Sequence, residues 1–248
     1  MKKRKKEKKP NKTAEIRIST GIKNLDKVTE GGFEKNSVNL VVGGSGAGKT
    51  ILAMQFLIEG IKEGENCLYV TFEEKKGEFF KNMLDFGWDL EKFEKEGKFV
   101  FLEYSPEKVR TMLEEGGGMI ENTILKNKIN RIVIDSITSF ELLFEDELEK
   151  REAALSLFNM LRKWNCTSLL TYEEDRMDKK AASRILEFES DSIVIIYFLR
   201  CGKERERYLE ILKMRGTKHS RKIYPLSIDK KGVIMTGKPC SVNLDSCF

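Results

Sequence analysis

The stretch SVNLVVGGSGAGKT, Ser37 to Thr50, decides how this 248-residue chain reads. Val38, Leu40, Val41 and Val42 form an apolar run of strand character. Gly43, Gly44, Ser45, Gly46, Ala47, Gly48, Lys49 and Thr50 follow in the pattern G-x-x-x-x-G-K-[ST]. Strand, glycine loop and helix in this order make a phosphate-binding loop. The glycines let the backbone turn tightly and bring N–H groups against phosphates, and the helix that follows adds the positive end of its dipole. Lys49 is placed to neutralise phosphate charge, and the Thr50 hydroxyl is placed to ligate Mg²⁺.

Downstream, Ala53, Phe56, Leu57 and Gly60 lie on one helical face, with Gly64 as the stop. Cys67 to Phe72 reads as a buried parallel strand whose carboxyl end delivers Glu73 and Glu74, where open α/β sheets bind ligands. A helix over Lys76 to Phe86 and a strand over Phe99 to Leu102 come next. Ser105-Pro106-Glu107 then opens a helix that Gly116 to Gly118 interrupts. Arg131 to Asp135 is an apolar strand ending in aspartate about 85 residues after Thr50, the Walker B form, so Asp135 is expected to hold Thr50 and the hydration shell of Mg²⁺. A helix from Lys150 to Trp164 precedes a strand over Thr167 to Thr171, which ends at Tyr172-Glu173-Glu174.

Beyond Phe188 the chain turns to short strands, Ile193 to Leu199, Arg205 to Met214, Tyr224 to Ile228 and Val233 to Met235, separated by turn signals such as Cys201-Gly202-Lys203. The expected fold is α/β, a mainly parallel sheet flanked by helices and extended by C-terminal antiparallel hairpins. The expected division is a basic disordered tail at 1–14, one phosphate-loop domain at 15–236 and a C-terminal tail at 237–248.

Composition narrows the class. Charged residues are 34% and hydrophobic residues 40%, as in a soluble globular protein. The longest apolar run, Ile193 to Leu199, is too short to span a bilayer, and no apolar segment follows the charged start. The net charge of +5 is misleading: residues 1–12 alone carry +7, which leaves −2 for the rest and no global case for nucleic acid. Five cysteines without C-x-x-C spacing indicate neither a disulfide framework nor a zinc site and fit a reducing cytoplasm. Abundant Lys and Glu, with Gln55 the sole glutamine, lean towards a thermophile.

Thr20-Gly21-Ile22, Leu25-Asp26 and Gly31-Gly32 precede the loop, and Leu212-Lys213-Met214-Arg215-Gly216-Thr217-Lys218-His219 closes the strand region. In this order they resemble the RecA superfamily, most of all its KaiC-like and archaeal RadA-like members, from about Thr20 to about Met235. A lysine and an arginine two apart on a strand share a face and can serve one anion. The resemblance implies more: a RecA-like P-loop NTPase core, ATP and Mg²⁺, and hexameric rings in which Lys213 and Arg215 reach the nucleotide of the neighbouring copy. It also puts Thr217 and His219 near that nucleotide and makes Glu73, with Glu74 behind it, the carboxylate that orients water. The strand end at Thr171-Tyr172-Glu173 resembles a Thr-Thr-Glu γ-phosphate sensor in which tyrosine replaces the second threonine.

The polar stretch Asp175 to Glu187 occupies the place of a recombinase DNA-binding loop, but it is short and without a glycine run and reads as a solvated loop and helix. Three functions follow: a homo-oligomeric ATPase whose nucleotide state regulates a protein partner, a DNA-dependent recombinase paralogue, and a nucleotide sensor without turnover.

Overall fold

The structure, a computed structural model, describes residues 16–104, 116–141, 143–144, 146–173 and 183–240, with residues 108, 111 and 113. The 1–14 tail, the Ser105–Glu107 helix start, Glu174 with the basic stretch to residue 182, and residues 241–248 lie outside the described residues.

An antiparallel ribbon, β1 (Arg17–Ile18) with β2 (Phe33–Glu34), brackets the short helix α1 (Lys23–Val28). The alternating region follows as β3 (Val38–Gly43), α2 (Lys49–Lys62), β4 (Cys67–Thr71), α3 (Lys76–Leu84), α4 (Leu90–Lys95), β5 (Phe99–Glu103) and α5 (Gly118–Asn127). It continues as β6 (Arg131–Asp135), α6 (Ile137–Glu141), α7 (Glu147–Lys163), β7 (Thr167–Glu173) and α8 (Ser183–Glu189). Four strands follow among the described residues: β8 (Ser192–Cys201), β9 (Glu204–Met214), β10 (Tyr224–Asp229) and β11 (Gly232–Met235).

One nine-stranded sheet runs β11-β10-β9-β8-β3-β7-β6-β4-β5. The strands from β8 to β5 in that order are mutually parallel, and β9, β10 and β11 are antiparallel additions at one side. Alternate residues of the parallel strands enter two cores. Val41, Tyr69, Val133 and Leu169 meet Leu52 and Phe56 of α2, whereas Leu40, Val70, Ile134 and Leu170 meet Phe158 and Leu161 of α7. Burial on both faces is why these strands are continuous apolar runs rather than alternating ones. No helix of the described residues is long and apolar enough to cross a membrane.

Element boundaries differ from the sequence reading for local reasons. Helix α7 starts at Glu147 rather than Lys150 because the Asp146 carboxylate accepts from the N–H groups of Leu148 (2.7 Å) and Glu149 (3.2 Å). Strand β7 runs on to Glu173 because its ladder with β3 continues through Val42–Tyr172 and Gly43–Glu173. The glycine triplet opens a helix, with Gly117 as the N-cap of α5.

At the amino end of β6, Arg131 is fully buried. Its Nη1 donates to the carbonyls of Ser19 (2.7 Å) and Phe56 (2.9 Å), and Nη2 and Nε donate to Glu63 and Glu65. The guanidinium lies 4.8 Å from the Phe56 ring centroid, and a Cβ on Gly60 would come within 2.6 Å of Nε, so the glycine on that helical face is there for the arginine. This one side chain ties the first ribbon, α2 and β6 together. Arg131→Ala is expected to lower the unfolding free energy by about 3 kcal/mol, since it removes the donor of two carbonyls and leaves a cavity beside Phe56. The urea midpoint checks this, and an unchanged midpoint contradicts it.

Candidate functional site

The carboxyl ends of β3, β4, β6 and β7 open onto one cavity of about 620 Å³. The loop from Gly43 to Gly48 forms its floor. A Cβ at Gly43 would lie 2.5 Å from the Ile196 carbonyl oxygen, and Gly48 sits at φ +104°, a conformation that residues with side chains rarely adopt. Helix α2 starts at Lys49, and no side chain caps its N-terminus. Its first N–H groups therefore offer partial positive charge to an anion. Lys49 is buried, with Nζ 2.9 Å from the Gly43 carbonyl, 3.0 Å from that of Gly44 and 3.2 Å from Glu173 Oε2.

Asp135, last residue of β6, gathers three hydroxyl donors. Thr50 reaches Oδ2 at 2.7 Å, Tyr69 reaches the same oxygen at 2.6 Å, and Thr171 donates to Oδ1. Burial first, and then the Asp135 charge, push the Tyr69 phenol well above its ordinary range, so it remains a neutral donor. The peptide bond from Asp135 to Ser136 is cis.

Glu73 and Glu74 leave β4 in a turn fixed by Thr71, whose Oγ1 accepts from both backbone N–H groups (3.2 and 3.0 Å). Both line the cavity, and Glu73 also accepts from the Ser139 hydroxyl. Glu74 has its carboxyl raised by desolvation first, then by Asp135, Glu78 and Glu73. Lys49, Thr50, Glu73, Glu74 and Asp135 are thus brought together.

Among the cavity's contributors, Arg207, Phe86 and Ile228 escaped the sequence reading, whereas Glu173 belongs to the strand end singled out there. Arg207 of β9 donates to the Gly46 carbonyl from Nε (3.2 Å) and Nη2 (2.9 Å), and its guanidinium lies 4.2 Å from the Phe198 ring centroid. Its β8 partner in the ladder is that same Phe198, so the hairpin folds over the loop. Glu173 carries the partner carboxylate of Lys49. Phe86, stacked on Trp88 at 5.1 Å, supplies an apolar wall with Ile228. Only the ladder register could have pointed to Arg207, and sequence alone does not set that register against the loop.

Lys213, Arg215, Thr217 and His219 are not among the residues lining this cavity. Lys213 Nζ donates to the carbonyls of Glu187 (2.7 Å), Phe188 (3.2 Å) and Ser190 (2.6 Å). Arg215 pairs with Asp191 (3.2 Å) and donates to the Phe188 carbonyl (2.7 Å). The two cations do share a target, as their spacing predicts, and that target is the negative end of α8 in their own chain. Desolvation, followed by Arg215, lowers the pKa of Lys213. Thr217 donates to the Arg215 carbonyl (3.2 Å), and His219 Nδ1 lies 2.9 Å from that of Ser220.

The family model "ATPase: KaiC" matches residues 18–239. The chain belongs to the KaiC-like ATPase family. Among curated relatives, circadian clock protein KaiC3 of Synechocystis sp. is 35% identical over 228 residues, covering 88% of this chain and 45% of that protein. The chain thus spans about half the length of the clock relatives it matches. A UPF0273 protein of Thermotoga maritima is 32% identical, with 88% of this chain and 95% of that one covered. The crystal structure of a KaiC-like protein from the hyperthermophilic archaeon Pyrococcus horikoshii OT3 superimposes with a TM-score of 0.80 at 35% identity, covering 90% and 99% of the two chains. A KaiC-like, RecA-type fold with a phosphate-binding loop is what the cavity is built on.

The raised Glu74 carboxyl sets a pH dependence. A carboxyl whose pKa is higher folded than unfolded costs stability once it is charged, so the cost is absent below about pH 4.3 and grows as pH rises through the folded value. Glu74→Gln is therefore expected to raise the melting temperature at pH 7.5 and to leave it unchanged at pH 4. Equal shifts at both pH values would contradict the assignment.

Proposed function

We propose that this KaiC-like chain is a Mg²⁺-dependent, ATP-hydrolysing homo-oligomer, with hexameric assembly as the preferred form and with a nucleotide state that regulates a protein partner. The observation that carries the reading is the convergence, in one cavity, of Lys49 on its glycine loop, the Thr50–Asp135 hydrogen bond and Glu73. The donor set fits Mg²⁺. One hydroxyl beside one carboxylate, with no cluster of three His, Cys, Asp or Glu ligands among the described residues, is how a cation shared with substrate phosphates is held. When bound, the cation neutralises charge on the β- and γ-phosphates.

The chain's own groups do the rest. Loop N–H groups and Lys49 hold the phosphates, and Thr50 and Asp135 hold the cation. Glu73 orients a water for in-line attack, with Glu74 as the neighbouring carboxylate. Phe86 and Ile228 give the nucleoside an apolar surface.

Charge supports completion from outside. The cavity is lined by the carboxylates of Glu73, Glu74, Asp135 and Glu173 against the cations of Lys49 and Arg207. A triphosphate adds further negative charge, so hydrolysis calls for cations that its own subunit does not bring to the wall. Lys213 and Arg215 of a neighbouring copy supply them, with Thr217 and His219 beside them, and a cytoplasmic protein of this composition has ATP at hand.

ATP hydrolysis and light-scattering mass, measured together, test this reading. Arg215→Ala should lower the rate about a thousandfold, as loss of a trans cation does in related phosphoryl transfer, and Glu73→Gln should abolish turnover while sparing nucleotide binding. Mixing Lys49→Ala with Arg215→Ala chains should restore part of the activity, because each repairs the other's site. A monomer that hydrolyses ATP equally well with and without Arg215 sinks the trans account, and stimulation only by single-stranded DNA would favour the recombinase paralogue.

A further inference from the structure

Tyr69 looks like a core aromatic. It is fully buried on β4, its ring 4.6 Å from that of Phe79 and stacked at 5.5 Å on Phe101. A phenylalanine would fill that space equally well. What the tyrosine adds is a hydroxyl, and a hydroxyl taken out of water needs a partner to offset its desolvation. The partner is Asp135 Oδ2, 2.6 Å away, the same oxygen that accepts from Thr50. Thr171 holds the other oxygen.

We infer that Tyr69 is a positioning residue for the divalent cation, resting on the nucleotide reading above. Two donors on Oδ2 and one on Oδ1 fix the rotamer of a carboxylate that would otherwise be free to turn about its last bond. With Asp135 fixed, the Thr50 hydroxyl keeps its proton on Oδ2 and presents its oxygen lone pairs to the cavity it lines. One acceptor site of the carboxylate remains for a cation-bound water. The ring is gripped by Phe79 and Phe101, so the donor comes on a rigid arm from the adjacent strand, where Tyr69 is registered with Val133. Outer-shell partners of this kind orient ligands, and their loss usually weakens metal binding by one to two orders of magnitude.

The test is Tyr69→Phe, read by binding of mant-ATP in EDTA and across a Mg²⁺ titration, with Mn²⁺ electron paramagnetic resonance as a direct count of bound cation. The free Mg²⁺ needed for half-saturation should rise about tenfold or more, with metal-free mant-ATP affinity within about twofold of wild type. Thr171→Val should act in the same direction from Oδ1, and Thr171→Ser, which keeps the hydroxyl, should restore the wild-type requirement; this pair decides the matter if Tyr69→Phe does not fold. A wild-type Mg²⁺ requirement in folded Tyr69→Phe overturns the inference, and, where that variant does not fold, so does a wild-type requirement in Thr171→Val. So does an equal loss of metal-free and metal-dependent affinity, which is the mark of a merely structural tyrosine. Wild-type protein that binds no mant-ATP under either condition overturns the nucleotide reading itself, a distinguishable result.

Discussion

The hydrogen bond from Thr50 to Asp135 joins the first turn of α2 to the end of β6, two elements that meet only because the sheet order sets β6 and β7 beside β3. It is a bond across 85 residues of sequence. Its geometry requires three things at once: a glycine loop that packs against β8 at Gly43 and turns at Gly46 and Gly48, a parallel sheet that brings four strand ends level, and cores on both faces that hold α2 and α7 against it. Remove any of these and the hydroxyl, the lysine and the carboxylates no longer share a cavity.

Much of this was legible before any coordinates. Parallel strands buried on both faces announce themselves as apolar runs, and the glycine pattern marks where the first of them ends. Asp135 and Glu73 were found by the same logic, as polar residues at the carboxyl ends of such runs. What sequence does not carry is what lies across from a side chain. Tyr69 reads as one aromatic among many because its hydroxyl partner sits on a strand 66 residues away. Arg207 reads as one charge on a hairpin because only the ladder pairing with Phe198 lays it over Gly46. The spacing of Lys213 and Arg215 says that they share a face and is silent on what that face meets.

That last pair gives the molecule its second theme. In the single chain both cations rest on the carbonyls ending α8; the proposed assembly is what would bring their charge to a neighbour's cavity. Helix α8 follows the stretch after β7, whose last residue, Glu173, pairs with Lys49. In the proposed assembly, Lys213 exchanges the carbonyls at the end of its own α8 for a neighbour's phosphate oxygens, since all three of its N–H donors are on those carbonyls in the single chain.

The most direct measurement of the central claim is a crystal structure with Mg²⁺ and a non-hydrolysable ATP analogue. The account predicts phosphates against the backbone of Gly44 to Thr50, the cation on the Thr50 hydroxyl with Asp135 in its outer shell, and Lys49 Nζ moved from the Gly43 and Gly44 carbonyls and Glu173 onto phosphate oxygen. A nucleotide seated elsewhere, or Lys49 still on those carbonyls with the analogue bound, would contradict it.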